Sequence, residues 1–395
     1  MTKVAKFNGS NILLLQGPIG FFFKKLDSRF RQKGAKTYRI GLNMGDQLFS
    51  YSDNYTAYKG TKNEWRDFIR CFLKEKNIDK VFLFGDCRFY HSILVEVALK
   101  VKIEVFVFEE GYIRPHYITL ERFGVNNYSK IPRNPSFYKS IGSVVSDVPK
   151  DTKFNPVNMW LSVMVYYFFA RLFHFKYTNY THHRNFSATQ EFFFGVRSLF
   201  RKVIYTQRDK KYLKKIQSEL DKKYFFVPLQ THNDFQILQH SNYGSIETFI
   251  EEVLQSFSEG ASQSVHLIFK HHPLDRGRKN YKNFIYEQSR ILGISDRVLV
   301  VHEVHLPTCL KHALGTVTIN STVGLSSLYH GTATITLGSA IYDIEGLTNK
   351  NKKIKDFWQN PQKPDMKLLK KFRQYLISTT QLNGSFYGLM PKELR

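Results

Sequence analysis

Two adjacent carboxylates, Glu109 and Glu110, follow the apolar run VFVF in a chain whose formal net charge is +25. A carboxylate beside a second carboxylate at the end of a buried strand can have a raised pKa, and can then act as a general base or a nucleophile. Because side chains alternate along a strand, we expect only one of the two to face a ligand, and we choose Glu110, which is nearest the glycine turn. The alternative is one structural pair with Arg114 and one exposed acid.

The sequence GDCR at 85–88 ends another apolar run, KVFLF, one predicted strand earlier in the chain. Asp86 and Arg88 would lie one strand away from the glutamates, where their charges could orient a reacting group. The simpler alternative is that they cap a turn. We expect Asp86 to take part in catalysis, and Arg88 and Arg114 to bind substrate together with Glu109.

A cationic cluster, Lys270, His271 and His272, ends a third apolar run, at the point where Pro273 stops regular strand pairing. A histidine at such a strand end can neutralise a departing phosphate or donate a proton to it. The alternative is a pair of core or surface histidines. A zinc site is a poor interpretation, because no cysteine or acidic cluster completes a ligand set.

Small polar residues open a predicted helix in the sequence NSTVGLSS at 320–327. A helix N-terminus offers unpaired N–H groups and the positive end of the helix dipole, and hydroxyl groups add donors, so this segment predicts a phosphate site. The alternative is a simple Ser or Thr cap. The residues that we assign to substrate binding by their place in these motifs or at strand ends are Asn320, Ser321, Thr322, Lys270, His271, Gln230, Gln16 and Gly17.

Short apolar strands alternate with helical patterns in two stretches of the chain, which predicts parallel sheets covered by helices on both faces. The predicted strands are at 11–15, 37–42, 80–86, 104–110, 224–230, 264–273, 297–303, 315–322 and 333–338. In such sheets ligands bind beyond the carboxyl ends of the strands. Four polar motifs at these ends, split between two domains, therefore indicate a cleft between the domains.

The predicted domain boundaries follow from this alternation and from the segment that interrupts it. We expect an N-terminal Rossmann-like acceptor domain at 1–205, whose residues 133–205 form an aromatic helical segment, and a nucleotide-sugar domain at 206–345. A C-terminal helical segment at 346–395 should pack back on the first domain. The apolar run Met159–Phe175 contains Arg171 and His174 and is short for a membrane-spanning helix, so it is either an inter-domain core helix or an aromatic helix at a membrane surface.

The charge balance, 58 Lys and Arg against 33 Asp and Glu, favours a polyanionic partner such as an anionic membrane, an anionic substrate or nucleic acid. We find no zinc-finger spacing, no phosphate-binding loop and no RNA-binding aromatic signature, so nucleic acid is disfavoured. Three scattered cysteines fit a reducing compartment, and the first residues do not read as a secretory signal. We expect a cytoplasmic protein.

Together these motifs indicate a transferase that moves a sugar from a nucleotide donor. The sequence has no D-x-D triplet, the usual metal holder for diphosphate donors. A donor with one phosphate, such as a CMP-sugar, can leave without a metal if a histidine and a helix dipole take up its charge. We therefore expect no metal and no cofactor.

The chain resembles bacterial capsule polysaccharide proteins of the KpsS (LipB) type nearly from end to end. The segments that carry the resemblance are LLLQGPIG, GDCR, FEEGYIRPHYITLE, GVNNYS, KHHPLDRG, INSTVGLSSL, YDIEGLT, FWQ and PDMKLLKKFR. The resemblance implies an α/β fold of the GT-B-like class, with two facing Rossmann-like domains. It assigns Glu110 as the catalytic acidic residue, His272 as the histidine of a His-Pro element, and Ser321 and Thr322 as a Ser/Thr element.

The resemblance also implies an activity: a retaining β-Kdo glycosyltransferase that uses CMP-Kdo. Its acceptor would be phosphatidylglycerol or lyso-phosphatidylglycerol at the cytoplasmic face of the inner membrane. The product would begin a poly-Kdo linker, which a partner transferase extends and a capsule export complex carries. Two alternatives stay open, namely a non-catalytic export or assembly scaffold and a related CMP-sugar transferase of the sialyl type. The sequence also leaves open whether Glu110 is a nucleophile or a base.

Overall fold

Short apolar runs form the strands of two separate sheets in the computed structural model, which describes residues 7–142, 149–180, 188–232, 241 and 243–394. The strands are β1 (Asn11–Leu15), β2 (Lys36–Gly41), β3 (Tyr55–Ala57), β4 (Lys80–Phe84), β5 (Glu104–Glu110), β6 (Tyr117–Arg122), β7 (Tyr224–Pro228), β8 (His266–Lys270), β9 (Val298–Val301), β10 (Gly315–Thr318), β11 (Ala333–Thr336) and β12 (Gln381–Asn383). Each predicted strand overlaps one of these.

Helices connect the strands. They are α1 (Phe22–Gln32), α2 (Met44–Ser50), α3 (Trp65–Glu75), α4 (Phe89–Lys100), α5 (Pro135–Ser140), α6 (Pro156–Leu172), α7 (Ala188–Gln217), α8 (Ile246–Gly260), α9 (Lys282–Ile291), α10 (Leu306–His312), α11 (Thr322–Tyr329), α12 (Ile354–Gln359) and α13 (Met366–Thr379). Helix α8 illustrates why these segments are helical. Ser245 caps its first turn by accepting from the backbone N–H of Thr248, and its apolar side chains recur at helical spacing on the buried face.

The chain divides into two compact units. The first comprises residues 1–130, 144–188 and 374–395, and the second comprises 131–143 and 189–373. This division differs from the predicted boundaries, because α7 and most of the segment after residue 345 belong to the second unit. The last residues nevertheless return to the first unit, where Leu382 of β12 pairs with Ile118 of β6. Of the predicted helical segment 133–205, residues 143–148 and 181–187 lie outside the described residues.

Both sheets have the same order of parallel strands. In the described part of the first unit the order is β12-β6-β5-β4-β1-β2-β3, with β6 and β12 as an added antiparallel edge. In the second unit it is β11-β10-β7-β8-β9. The direction of winding therefore reverses between β1 and β4 in one sheet and between β7 and β10 in the other. These reversal points are where Rossmann-like sheets place ligands, and the topology confirms the predicted class, α/β with two Rossmann-like units.

Apolar side chains cover both faces of each sheet, as expected for parallel strands. In the first unit, one face of β5 packs Val105 and Val107 with the residues of α3 and α4, while Phe106 and Phe108 pack with α1 on the other face. This alternation continues to the end of β5, and it decides where the two glutamates point.

Helix α13 is less available to solvent than its basic composition suggests. Leu368, Leu369 and Phe372 are buried, and the Nζ atom of Lys371 donates to the carbonyl oxygens of Lys139 at 2.8 Å and Ile141 at 3.0 Å. The helix therefore contributes to the core of its unit. Among the helices of the described residues, none combines the length and the apolar character needed to cross a bilayer.

Candidate functional site

The glutamate pair lies at the carboxyl end of β5, and its two side chains are in different surroundings. Glu109 is partly buried, and its Oε1 atom accepts a hydrogen bond of 2.9 Å from the backbone N–H of Glu110. Glu110 is exposed, and its charge acts on the hydroxyl of Tyr387. The two neighbouring acids thus differ in exposure, and the choice of Glu110 as the one that faces a ligand stays a prediction.

Burial raises the pKa of the Glu109 carboxyl to about 7, and the neighbouring charges of Glu110 and Asp86 act in the same direction. The hydrogen bond from the Glu110 N–H and the cationic Arg88 oppose the shift only in part. A carboxyl group with a pKa near 7 is partly protonated at neutral pH, so it can give or take a proton. The pKa expected of a general acid or base is thus that of Glu109, whereas the sequence favoured its neighbour Glu110.

Asp86 and Arg88 hold the loop after β4. The Oδ2 atom of Asp86 accepts from the backbone N–H of Val125 at 2.8 Å, and the Sγ atom of Cys87 lies 3.2 Å from its Oδ1 atom. The guanidinium carbon of Arg88 lies 5.5 Å from the ring centroid of Phe84. The contacts of Asp86 are those of a turn-bracing residue, which was the simpler alternative, and they also keep its charge beside Glu109.

Arg114 is exposed, and its Nε atom donates to the carbonyl oxygen of Gly111 at 3.3 Å. Among the ion pairs of the described residues, none joins Arg114 to Glu109 or Glu110. The structural pair considered for Arg114 is thus not formed. Its side chain stays close to the glycine turn.

Gln16 follows β1 at the reversal point of the first sheet and binds an aspartate that the sequence analysis missed. Its Nε2 atom donates to the Oδ2 atom of Asp46 at 3.0 Å. Asp46 also accepts from the Leu42 N–H at 2.9 Å and from the Tyr166 hydroxyl at 2.9 Å. Burial raises the pKa of Asp46, and these donors oppose the rise. A Cβ atom on Gly17 would meet the ring of Phe23 at 2.4 Å, so Gly17 is there to permit close packing.

A second carboxylate that the sequence analysis did not identify, Glu121, lies on β6, which pairs with β5. The Tyr112 hydroxyl donates to its Oε1 atom at 2.7 Å, and Ser129 donates to its other oxygen. The backbone N–H of Asn126 in turn donates to the Tyr112 hydroxyl at 2.7 Å. Burial raises the pKa of Glu121 to about 7. An acid within the otherwise apolar run YITLE was the only sequence signal for it.

In the second unit, His271 is a buried structural residue. Its Nε2 atom accepts a hydrogen bond of 2.9 Å from the backbone N–H of Tyr281, so the neutral ring carries its hydrogen on Nδ1. Its ring stacks on that of His302, with 4.8 Å between the centroids. Burial lowers the pKa of His271 to about 4 and that of His302 to about 2, so both rings are neutral at neutral pH. Neighbouring Lys270 is also buried, which lowers its pKa.

His272 lies at the partly exposed rim of the same loop. Its Nδ1 atom accepts from the backbone N–H of Leu274 at 3.2 Å, which caps the short helical turn Pro273–Asp275. In the neutral ring the hydrogen is therefore on Nε2, which is a donor. Of the two histidines, His272 has the tautomer and the exposure that a phosphate-binding or proton-donating residue needs.

Ser321 caps helix α11, because its side chain accepts from the backbone N–H of Val323 at 3.2 Å. Thr322 is the first helical residue. Asn320 is held across the reversal point of the second sheet by Gln230: the Gln230 Nε2 donates to the Asn320 Oδ1 at 3.1 Å, and the Asn320 N–H donates to the Gln230 Oε1 at 3.3 Å. The cap alternative thus holds for Ser321, and Gln230 fixes the position of this helix start.

Metal ligation is not evident in the described residues, where no three His, Cys, Asp or Glu side chains are grouped as metal ligands would be. In each unit, some of the predicted site residues lie close together at the carboxyl ends of the parallel strands. Glu109, Asp86 and Arg88 share an edge in the first unit, while Gln230 meets Asn320 in the second.

Two Rossmann-like units with polar strand ends place the chain in the GT-B-like α/β class. A family described as capsule polysaccharide biosynthesis protein matches residues 79–387. The chain is 38% identical over 380 residues to the capsule polysaccharide export protein KpsS of Escherichia coli, covering 96% of this chain and 97% of that protein. It is 36% identical to the capsule polysaccharide modification protein LipB of Neisseria meningitidis serogroup B, covering 96% and 92%. The chain belongs to the capsule polysaccharide biosynthesis family, which confirms the resemblance.

Solved structures with a similar fold have much lower sequence identity. The β-Kdo 2,7 transferase of Thermosulfurimonas dismutans KpsC is 14% identical, with a TM-score of 0.42 over 92% of this chain and 89% of that chain. The β-Kdo 2,4 transferase of the same protein is 13% identical, with a TM-score of 0.37 over 81% and 82%.

Proposed function

We propose that the chain is a retaining β-Kdo glycosyltransferase that transfers Kdo from CMP-Kdo to phosphatidylglycerol or lyso-phosphatidylglycerol. The product would begin the poly-β-Kdo linker of a lipid-anchored capsular polysaccharide. The observation that carries the proposal is the contrast between two sheet edges. One holds a carboxyl group with a pKa of about 7 beside an exposed carboxylate, and the other holds a donor histidine after β8 and a capped helix start after β10.

The second unit would bind the donor. The single phosphate of CMP would lie at the N-terminus of α11, near Ser321 and Thr322, with His272 donating from Nε2. Asn320, Gln230, Lys270 and His271 would shape this site. Because the leaving group carries one phosphate, the helix dipole and the histidine would take up its charge, and no metal or cofactor would be needed.

The first unit would supply the acid–base chemistry. The bond between the anomeric carbon of Kdo and the CMP phosphate breaks, a bond to the acceptor oxygen forms, and the proton of the acceptor hydroxyl goes to a carboxylate. We propose Glu110 for this chemistry. As the base it would take this proton. As a covalent nucleophile its carboxylate would first form a bond to the anomeric carbon while the bond to CMP breaks, and the acceptor oxygen would then displace it and lose its proton to a neighbouring carboxylate. Glu109 and Asp86 would set its charge environment, and Gln16, Gly17, Arg88 and Arg114 would line the acceptor side.

The partners follow from the acceptor. A phospholipid acceptor requires a peripheral location at the cytoplasmic face of the inner membrane, where a poly-Kdo transferase and the export complex would take the product onward. Several apolar side chains of α6 are exposed, including Trp160 at 61% and Phe168 at 60%, as an aromatic helix at a membrane surface would require. We also expect the basic helix α13, with Lys367, Lys370, Lys371 and Arg373, to face anionic lipid. Lys371, however, binds two backbone carbonyls and Arg373 packs over the ring of Tyr329, which leaves Lys367 and Lys370 exposed.

The experiment that tests this proposal combines the purified chain with CMP-Kdo and fluorescent phosphatidylglycerol. Mass spectrometry of the lipid should find added Kdo, and the number of units follows from the mass. CMP-sialic acid in place of CMP-Kdo tests the sialyl-type alternative. A reaction that depends on added magnesium would contradict the metal-free mechanism, and the absence of any transfer from either donor would contradict the proposed activity.

A non-catalytic export or assembly scaffold is the second candidate, and the description of the Escherichia coli relative as an export protein favours it. A scaffold would bind its partners without turnover. Substitution of Glu110 would then leave capsule assembly intact in cells, whereas a transferase would lose it.

A further inference from the structure

Helix α7 has one face that packs on its own unit. Tyr205, Asp209 and Ile216 are buried at spacings of four and seven residues, which places them on one side of the helix. Asp209 is fully buried, and its carboxylate accepts from the backbone N–H groups of His302 at 2.6 Å and Glu303 at 2.8 Å. The helix is therefore firmly attached along this face.

The opposite face of α7 is apolar and exposed. Its side chains are Phe193 (68% exposed), Val196 (52%), Leu199 (68%), Phe200 (68%), Val203 (65%) and Ile204 (45%). At 100° per residue these six side chains fall within an arc of about 140°. A continuous apolar stripe on a surface helix is a mark of an interaction site rather than of random exposure.

The same arc becomes cationic in the second half of the helix. Lys210, Lys211 and Lys214 are exposed, and at 100° per residue they continue the line of the apolar stripe. Between residues 193 and 217 the only acidic residue is Asp209, which is buried and paired. The exposed face therefore combines apolar side chains with uncompensated positive charge.

We propose that this face of α7 docks on an anionic lipid bilayer. A bilayer interface offers an apolar layer for the phenylalanine and aliphatic side chains and negative headgroups for the lysines. A second copy of the chain suits the face less well, because each copy carries a net charge of +25 and would bring like charges together. The inference deepens the proposed function, which requires a lipid acceptor, but membrane docking does not depend on transfer.

Helix α7 is also hydrogen-bonded to the loop that follows His272, which links the docking face to the proposed donor site. The Nε atom of Arg197 donates to the carbonyl oxygen of Gly277 at 2.5 Å, and the Nη1 atom of Arg201 donates to that of Arg276 at 2.9 Å. These carbonyls belong to the loop that follows His272. A membrane-docked α7 would therefore hold the proposed donor loop at a fixed position near the lipid surface.

The test is co-sedimentation of the full chain with vesicles of phosphatidylglycerol mixed with phosphatidylcholine, and with vesicles of phosphatidylcholine alone. The triple variant Lys210→Gln, Lys211→Gln, Lys214→Gln should bind the anionic vesicles on the order of 100-fold more weakly at low salt. The double variant Leu199→Ser, Val203→Ser should bind at least about tenfold more weakly at high salt, where the apolar contribution remains.

Matched controls distinguish the effect of this face of α7 from a general loss of positive charge or of exposed apolar area. The triple variant Lys24→Gln, Lys25→Gln, Lys74→Gln removes the same charge from exposed positions on α1 and α3. The single variant Ile291→Ser removes a side chain that is 72% exposed on α9. Both controls should bind vesicles like the wild type.

Three outcomes would overturn the docking proposal: equal binding of the wild type to both kinds of vesicle, wild-type binding by the α7 variants, or equal losses in the control variants. A wild-type chain that self-associates in sedimentation, and that loses this with Leu199→Ser, Val203→Ser but never binds vesicles, would also overturn it. Transfer to a short-chain, water-soluble phosphatidylglycerol reports separately on the proposed activity, and the α7 variants should retain it.

Discussion

Each unit carries a doublet of like residues after an apolar strand, Glu109–Glu110 in the first and His271–His272 in the second. In both doublets the first residue is the more buried and the second lies at the rim. Burial raises the pKa of Glu109 to about 7 and lowers that of His271 to about 4, so in each case it favours the neutral form. In both doublets, burial therefore shifts the pKa of the first residue toward its neutral form.

The doublets differ in what the buried residue is bound to. His271 accepts from the backbone N–H of Tyr281 and stacks on His302, so its Nε2 atom and its ring face both hold the loop. Glu109 accepts from a single backbone N–H, that of Glu110, and lies among the charges of Asp86 and Arg88. The comparison teaches that the contacts of His271 are structural, whereas the raised pKa of Glu109 arises from burial beside the charges of Glu110 and Asp86.

The largest expected effect comes from separating the two glutamates. Glu110→Gln keeps the size and hydrogen-bonding capacity of the side chain but removes its charge, so turnover should fall by at least about 100-fold if Glu110 is the base or nucleophile. Glu109→Gln should reduce turnover less. The measurement is the steady-state rate of CMP release with saturating CMP-Kdo and acceptor.

Folding of both variants is checked by circular dichroism. Near-wild-type turnover of Glu110→Gln, together with a 100-fold loss in Glu109→Gln, would transfer the role to the buried acid. The pH profile then gives a second criterion, because a Glu109 base would produce a kinetic pKa near 7.

The two histidines should differ in their contribution to stability, because His271 is buried and His272 lies at the rim. His271→Ala leaves the Tyr281 N–H unpaired and removes the ring stacked on His302, so we expect the free energy of unfolding to fall by about 2–3 kcal/mol. His272→Ala removes one capping acceptor at a partly exposed site and should cost about 1 kcal/mol or less. Urea unfolding of the two variants measures the difference, and equal losses would contradict a structural role that is specific to His271.

Strand patterning was sufficient to predict the sheets and the alternation at Glu109 and Glu110, because both follow from local hydrophobic periodicity. It did not predict β3, β6 and β12. Strands β3 and β12 have only three residues each, and β6 is an antiparallel strand that follows β5 without an intervening helix. The periodicity of α13 was also correct, but its cations were expected to face a membrane. Lys371 instead binds the carbonyls of residues 139 and 141, which no local pattern indicates.

The missed acids show where sequence reasoning ends. Asp46 is bound by the nearby Leu42 N–H and also by Gln16 and Tyr166, two donors from distant parts of the chain that reach it only in the folded unit. The pKa of Glu109 likewise depends on burial and on Asp86, which lies on the loop after another strand. A sequence can suggest which side chains end strands, but the burial that tunes them is a tertiary property.

The raised pKa of Glu109 predicts a pH dependence of stability. A glutamate with a pKa of 4.5 when unfolded and about 7 when folded binds more protons in the folded state between these values. Its contribution is therefore full below about pH 4.5 and is lost as the pH rises through 7. The free energy of unfolding of Glu109→Gln should thus exceed that of the wild type by about 3 kcal/mol at pH 8 and by less than about 1 kcal/mol at pH 5. Glu110→Gln is the matched control, and an equal gain there would contradict the assignment to Glu109.

The smallest expected effect concerns the nucleotide and the rim histidine. CMP should raise the thermal stability of the wild type, because a ligand that binds only the folded state stabilises it. His272→Ala should reduce this gain by about 1 kcal/mol, the result of a roughly tenfold weaker affinity, and so should Ser321→Ala combined with Thr322→Val. Ile291→Ser, on an exposed helix end, is the control and should respond to CMP like the wild type. Equal stabilisation by UDP would argue against a CMP-sugar donor. An unchanged response to CMP in both site variants would contradict a role of His272, Ser321 and Thr322 in nucleotide binding.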